Sequence, residues 1–240
     1  MGSFAARYAA FAGRDALAAL WGDSRMFNIG LWPPGVPTVA EASAALVDEV
    51  AARLPRDGRI LDLGCGEGGG TRRLAAGARR SRIVGLELVP ARLIRAARDS
   101  RIDFVAADAT QLPFADRSFA GLVAIESAFH FDSRRAFFAE SARALAPRGV
   151  LVLADFLIRD RDAFGADLVP AGNDERDLES YARALARAGF AEIELDDATE
   201  RTWKPFCRAL AARPDPPPPE RMARLEASVA AYVLARAVNR

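Results

Sequence analysis

The sequence predicts an α/β protein in which a mostly parallel sheet carries helices on both faces, and three observations carry this. From residue 58 onward, short apolar runs of strand length alternate with helical stretches, the signature of parallel strands joined by crossover helices. One run, residues 59–63, breaks at a single point into Gly64-Cys65-Gly66-Glu67-Gly68-Gly69-Gly70 and then into a helical pattern. Its glycines permit a sharp turn with bare main chain exposed to a ligand. The length, 240 residues, suits one well-buried domain with elaborations, residues 1–240.

Taken in order, residues 3–20 read as an alanine-rich amphipathic helix, with Phe4, Tyr8, Phe11 and Asp15 on successive turns. Residues 25–35 are too rich in Pro, Gly and large apolar side chains for a polar loop. They read equally as core or as a cover over a ligand, so residues 1–55 are expected to form a helical segment that is part of a lid. Thr38 and Glu41 make a capping box for a helix running to about Leu54. Strands are expected over 82–88, 102–107, 119–125, 150–154 and 190–195. Helices are expected over 90–99, 133–145 (capped by Asp132 or Ser133), 177–188 and 221–228. Residues 156–176 form a short insertion, expected to cap a substrate. Residues 213–219 are proline-rich and extended, and 231–235 are expected to add a final antiparallel strand.

Bulk properties narrow the partners. Lys+Arg 33 against Asp+Glu 32 gives no basic face for nucleic acid or an anionic membrane. Lys204 is the only lysine, a compositional bias that accompanies the high alanine content. Two cysteines, Cys65 and Cys207, make no disulfide framework, and no apolar run reaches the roughly 20 residues of a membrane span. A cytoplasmic location is expected, and no metal-ligand cluster stands out.

In an open α/β sheet, ligands bind beyond the carboxyl ends of the strands. Asp62 precedes the glycine loop, whose helix N-terminus favours an anion. Glu87 ends the second strand at the distance where a carboxylate takes ribose hydroxyls. Asp108 follows the third strand in A-D-A-T-Q-L-P-F, where it can accept from an adenine amino group. The fourth strand ends in I-E-S-A-F-H-F. The glycine pattern with Glu87 also suits NAD, and the Asp108 segment argues against it.

With L-D-L-G-C-G-E-G, the strand ending in Glu87, A-D-A-T-Q-L-P-F, I-E-S-A-F-H-F, A-P-R-G-V-L-V-L-A-D-F and N-I-G-L-W (residues 28–32), the chain resembles the class I S-adenosylmethionine-dependent methyltransferases. The resemblance is to their small-molecule branch, of the ubiquinone and natural-product kind. It implies a Rossmann-like seven-stranded sheet in the order 3-2-1-4-5-7-6 with strand 7 antiparallel. It also implies S-adenosyl-L-methionine as cofactor and a small-molecule methyl acceptor as partner. Carried over by position, Asp62, Gly64 and Gly66 would meet the methionine part. Glu87 and Leu88 would meet the ribose side, Asp108 and Ala109 the adenine, and Glu126 would lie near the cofactor. Ala120 departs from the pattern, where many relatives have Asp.

Methyl transfer is an in-line displacement, so positioning supplies much of the acceleration, and a base helps where the acceptor loses a proton. His130, the only histidine, is the candidate base, because its ordinary pKa near 6.5 suits the task. Asp155 ends the fifth strand and is expected to face the same crevice, orienting His130 or binding the acceptor. Phe27, Trp32, Phe129, Phe131 and Phe156 are the expected acceptor wall, which points to an aromatic or lipophilic metabolite and to O-methylation. Carbon or nitrogen acceptors, an NAD-dependent oxidoreductase and a non-catalytic cofactor-binding module are the alternatives.

Overall fold

The computed structural model describes residues 20–77, 80–96 and 102–240; the helix expected over 3–20 lies outside them except for its last residue. One sheet holds seven strands in the order β3-β2-β1-β4-β5-β7-β6. They are β1 Asp57–Leu63, β2 Arg80–Glu87, β3 Asp103–Ala106, β4 Phe119–Ile125, β5 Leu145–Ile158, β6 Phe190–Asp197 and β7 Val229–Asn239. β1 to β5 pair in parallel, whereas β7 runs antiparallel to both β5 and β6. The chain therefore reverses its direction of winding between β1 and β4, which opens a crevice at their carboxyl ends.

The helices among the described residues are α1 Val39–Ala52, α2 Gly69–Gly77, α3 Pro90–Ala96, α4 Arg134–Ala144, α5 Leu178–Arg187, α6 Trp203–Ala211 and α7 Pro219–Ala227, with one-turn pieces between. Side chains alternate across each strand, so the sheet builds two cores. On one face Leu151, Leu153 and Leu157 of β5 meet Phe137 and Phe138 of α4 and Tyr181 of α5. On the other, Val152, Ala154 and Phe156 meet Leu46 and Val50 of α1 and Trp203 and Phe206 of α6. Strands covered on both faces explain why residues 60–63 read as a nearly unbroken apolar run.

Local signals hold with adjustments. Thr38 accepts from the Glu41 N–H at 3.2 Å, but Glu41 reaches back to the Thr38 hydroxyl at 2.7 Å and not to its backbone. Ser133, not Asp132, caps α4. Strand β5 begins before the expected 150, with a bulge: residues 145 to 150 span what 119 to 121 span on β4, with Arg148 at φ +65°. Helix α6 was not anticipated, although Trp203, Phe206, Cys207 and Leu210 are its buried residues and their spacing is helical.

Candidate functional site

The turn after β1 is shaped by glycine. Gly64 and Gly66 have φ of +76° and +59°, where an L side chain is strained. A Cβ on Gly64 would lie 2.5 Å from Ser127 Cβ, and Ser127 Oγ donates to the Leu63 carbonyl at 2.7 Å. The exits of β1 and β4 thus touch main chain to side chain. Glu87, 2% exposed, braces the loop from β2: its Oε2 accepts from Gly66 N–H and its Oε1 from Val89 N–H, each at 3.0 Å. Each oxygen keeps a second lone pair for a further donor. Arg92 of α3 sits 3.9 Å from Glu87 and beside Gly66.

Asp62 is buried and accepts from the Thr71 hydroxyl at 2.7 Å, tying β1 to α2. Burial, against that hydrogen bond, raises its carboxyl to about 6. Asp108 Oδ1 accepts from both N–H and Oγ1–H of Thr110, so any contact to a ligand amino group falls to Oδ2. Ala109 is core, 3% exposed, while Leu88 is half-buried.

The N-terminal segment crosses these strand exits. Ile29 N–H donates to the Glu126 carboxylate at 3.0 and 3.1 Å, and Tyr232 of β7 donates to it at 2.7 Å. Burial raises the Glu126 carboxyl to about 8, the two hydrogen bonds opposing and the Asp155 charge adding. Arg25 pairs with Glu67 of the glycine loop at 2.6 Å. The Phe27 ring lies 5.8 Å from the Arg92 guanidinium, a cation–π distance. Trp32 donates through Nε1 to the Ile29 carbonyl at 3.0 Å.

His130 closes the one-turn helix Ala128–His130 just beyond β4. Its Nδ1 lies 2.7 Å from the Leu168 carbonyl. A carbonyl only accepts, so Nδ1 carries the proton and the ring's lone pair is on Nε2. Burial lowers the imidazole to about 4, with the Leu168 carbonyl opposing and the charge of Arg92 adding. The ring lies tilted by 36° against Phe129, centroids 3.8 Å apart. Phe129 begins an aromatic wall through Phe156 (5.0 Å), Phe164 (5.6 Å from Phe129) and Trp203 (5.7 Å from Phe156).

Two expected site residues are placed differently from the expectation. Asp155 does not face this crevice: it alternates with Phe156 along β5, so its carboxylate points to the opposite face of the sheet. There it is fully buried, accepts from the N–H of Phe129 and Phe156 and from Tyr181 O–H, and lies 3.0 Å from Arg134 Nε. Arg134 also donates to Glu175 at 3.1 Å and to the Phe156 carbonyl at 3.0 Å. Burial works against the Arg134 charge, and Asp155, Tyr181 and Glu175 more than offset it. Phe131 stands apart from the aromatic wall: its ring is 4.9 Å from Phe137 of α4, and its Cε1 lies 3.8 Å from where a Gly64 Cβ would be, so it borders the glycine turn.

Sequence reasoning missed Arg92, Arg134, Phe164, Trp203, Tyr232 and the Leu168 carbonyl. Trp203 was visible only through the overlooked helical spacing of α6, and a backbone carbonyl has no sequence signal. Among the described residues no group of three or more His, Cys, Asp or Glu gathers to hold a metal ion, and no helix is long and apolar enough to cross a membrane.

The family described as "Methyltransferase domain" matches residues 61–153, from β1 into β5. The chain is 33% identical over 222 residues to the 27-O-demethylrifamycin SV methyltransferase of Amycolatopsis mediterranei, covering 84% of this chain and 78% of that one. It is 29% identical over 202 residues to the erythromycin 3''-O-methyltransferase of Saccharopolyspora erythraea, covering 75% and 66%. Its fold is similar to the geranyl diphosphate C-methyltransferase of Streptomyces coelicolor A3(2) solved with S-adenosyl-L-homocysteine (TM-score 0.78, 18% identity, 100% and 99% covered). It is also similar to the [4+2]-cyclase SpnF (TM-score 0.73, 25% identity, 94% and 93% covered). With the strand order, the glycine turn and these matches in agreement, the chain belongs to the class I S-adenosylmethionine-dependent methyltransferases.

Proposed function

We propose that this enzyme O-methylates a hydroxyl of a small, lipophilic metabolite, with His130 as the base. The observation that carries the reading is the Nδ1–H bond from His130 to the Leu168 carbonyl. It leaves the lone pair on Nε2 at the exit of β4, beside the aromatic wall.

The glycine turn suits the cofactor, because a Cβ at Gly64 or Gly66 would fill the space against Ser127 or Arg92. Gly64, Gly66 and Asp62 would hold its methionine end, Glu87 and Leu88 the ribose, and Asp108 and Ala109 the adenine. Glu126 would stand near its centre. When bound, S-adenosylmethionine supplies a methyl group activated on a sulfonium. The segment around Phe27 and Trp32 acts as the lid, held across the strand exits by Glu126 and Glu67, and excludes water.

At pH 7 the buried imidazole is neutral, with its lone pair on Nε2. Its weak basicity confines proton transfer to a late stage, when the acceptor oxygen is already sharing electrons with carbon and its proton has become acidic. Phe129, Phe156, Phe164 and Trp203 favour an apolar acceptor, in keeping with relatives whose names describe O-methylation of erythromycin and action on 27-O-demethylrifamycin SV.

The test uses His130→Gln. Affinity for S-adenosylhomocysteine by calorimetry should stay within about twofold, while turnover of a hydroxyl acceptor found by screening macrolide and polyketide alcohols falls about 100-fold. Unchanged turnover removes His130 from the chemistry. A product methylated at carbon or nitrogen, read by NMR, overturns the assignment to oxygen.

A further inference from the structure

We infer that the segment from Asp160 to Asn173, between β5 and α5, is a clamp that positions His130, with Arg161 and Asn173 as its two positioning residues. The functional consequence rests on His130 being the base.

The segment holds both the ring and its backbone. Asp160 caps the one-turn helix Arg161–Phe164 by accepting from the N–H of Asp162 and Ala163 at 3.0 Å. The first residue of that helix, Arg161, turns its guanidinium back onto the same segment. Its Nε donates to the Val169 carbonyl at 2.9 Å, and Nη2 donates to the Val169 and Ala166 carbonyls. This closes a loop from 161 to 169, anchored by the buried Val169 side chain. The next carbonyl back, that of Leu168, is the one that takes the His130 Nδ1–H at 2.7 Å.

Four residues on, Asn173 grips the backbone. Its Nδ2 donates to the Phe131 carbonyl at 2.8 Å and the Phe129 carbonyl at 3.2 Å, the two that flank His130. Its Oδ1 accepts from Arg134 N–H at 2.7 Å, so the amide is fixed by α4 and only 8% of the residue is exposed. One short segment therefore holds the backbone of the residue on each side of the histidine and the tautomer of its ring. The histidine side chain in water favours the Nε2–H form, and the hydrogen bond made by one ring nitrogen decides which form a protein holds. Loosening the clamp would place the proton on the nitrogen that has to accept one.

The chain has a single histidine, so the imidazole nitrogens of 15N-labelled protein, freed of any histidine tag, give one spin system. At neutral pH the wild type should show a pyrrole-type Nδ1 and a pyridine-type Nε2. Arg161→Ala and Asn173→Ala should each collapse that separation towards averaged tautomers, and Arg161→Lys, which can still donate to Val169, should restore part of it. Wild-type nitrogen shifts in a folded Arg161→Ala overturn the clamp. Arg161 is half-buried, so this variant carries the test if Asn173→Ala does not fold. The readout needs no methyl acceptor. Full turnover in His130→Gln would remove the base assignment and leave the clamp standing, and unchanged shifts would do the reverse.

Discussion

Replacing Glu126 with Gln should remove a pH dependence of stability that a single buried carboxyl imposes. Glu126 accepts from Ile29 N–H and Tyr232 O–H, contacts that a Gln Oε1 can also make. Burial holds the acid at about 8, against an ordinary value of 4.5. At about 1.4 kcal/mol per tenfold, the extra proton affinity favours the folded state by at most about 5 kcal/mol. Because the folded-state pKa is the higher, that stabilisation is complete below pH 4.5, fades as pH rises towards 8, and is gone above it. Gln does not titrate. The stability difference, variant minus wild type, should therefore rise by about 2 to 5 kcal/mol between pH 5 and pH 9. Urea unfolding at pH 5, 7 and 9 measures it, and Asp62, raised to about 6 by burial, contributes to both proteins and cancels. Parallel stability curves across this range would refute the placement of a proton on Glu126.

Two further substitutions probe the frame and the cradle. Arg134→Met leaves Asp155 and Glu175 buried without their shared cation and should cost about 3 to 5 kcal/mol in urea unfolding. Adding Asp155→Asn should return part of that loss, and a cost under about 1 kcal/mol would show that the pair is not a supporting element. Gly64→Ala forces a Cβ to 2.5 Å from Ser127 at φ +76°. It should lower stability by about 1 to 3 kcal/mol and weaken S-adenosylhomocysteine binding at least tenfold by calorimetry, and wild-type affinity would contradict the close-approach reading of this turn.

Much of the sheet was legible because its signals are local. The run at 60–63, the glycines after it and the exact span of β4 follow from alternation, apolar continuity and the steric freedom of glycine. The antiparallel β7 was expected although residues 231–235 have no decisive period, and the resemblance supported it. Position was legible where it depends on a residue's own strand: Glu87 ends β2 and Asp108 lies just beyond β3. Asp155 faces away from the expected crevice because β5 runs on past it to Ile158 and its side chain alternates with that of Phe156. Phe131 lies beside the glycine turn and Phe137 instead of in the wall because a turn of one 3₁₀ helix, Ala128–His130, redirects the chain, and aromatic side chains fit either core equally well.

The sequence by itself determined the alternation of strands and helices from β1 to β6, the glycine turn at the end of β1 and the single histidine beyond β4, because each depends on residues within one turn or strand of each other. The tertiary structure alone decided what those groups face. Burial beside Tyr232, 106 residues away, makes Glu126 a proton holder, and a carbonyl 38 residues away chooses the tautomer of His130. The Arg134 charge answers Asp155 and Glu175 across two elements. Desolvation and hydrogen-bond direction are properties of packed neighbours, and no spacing along the chain encodes them.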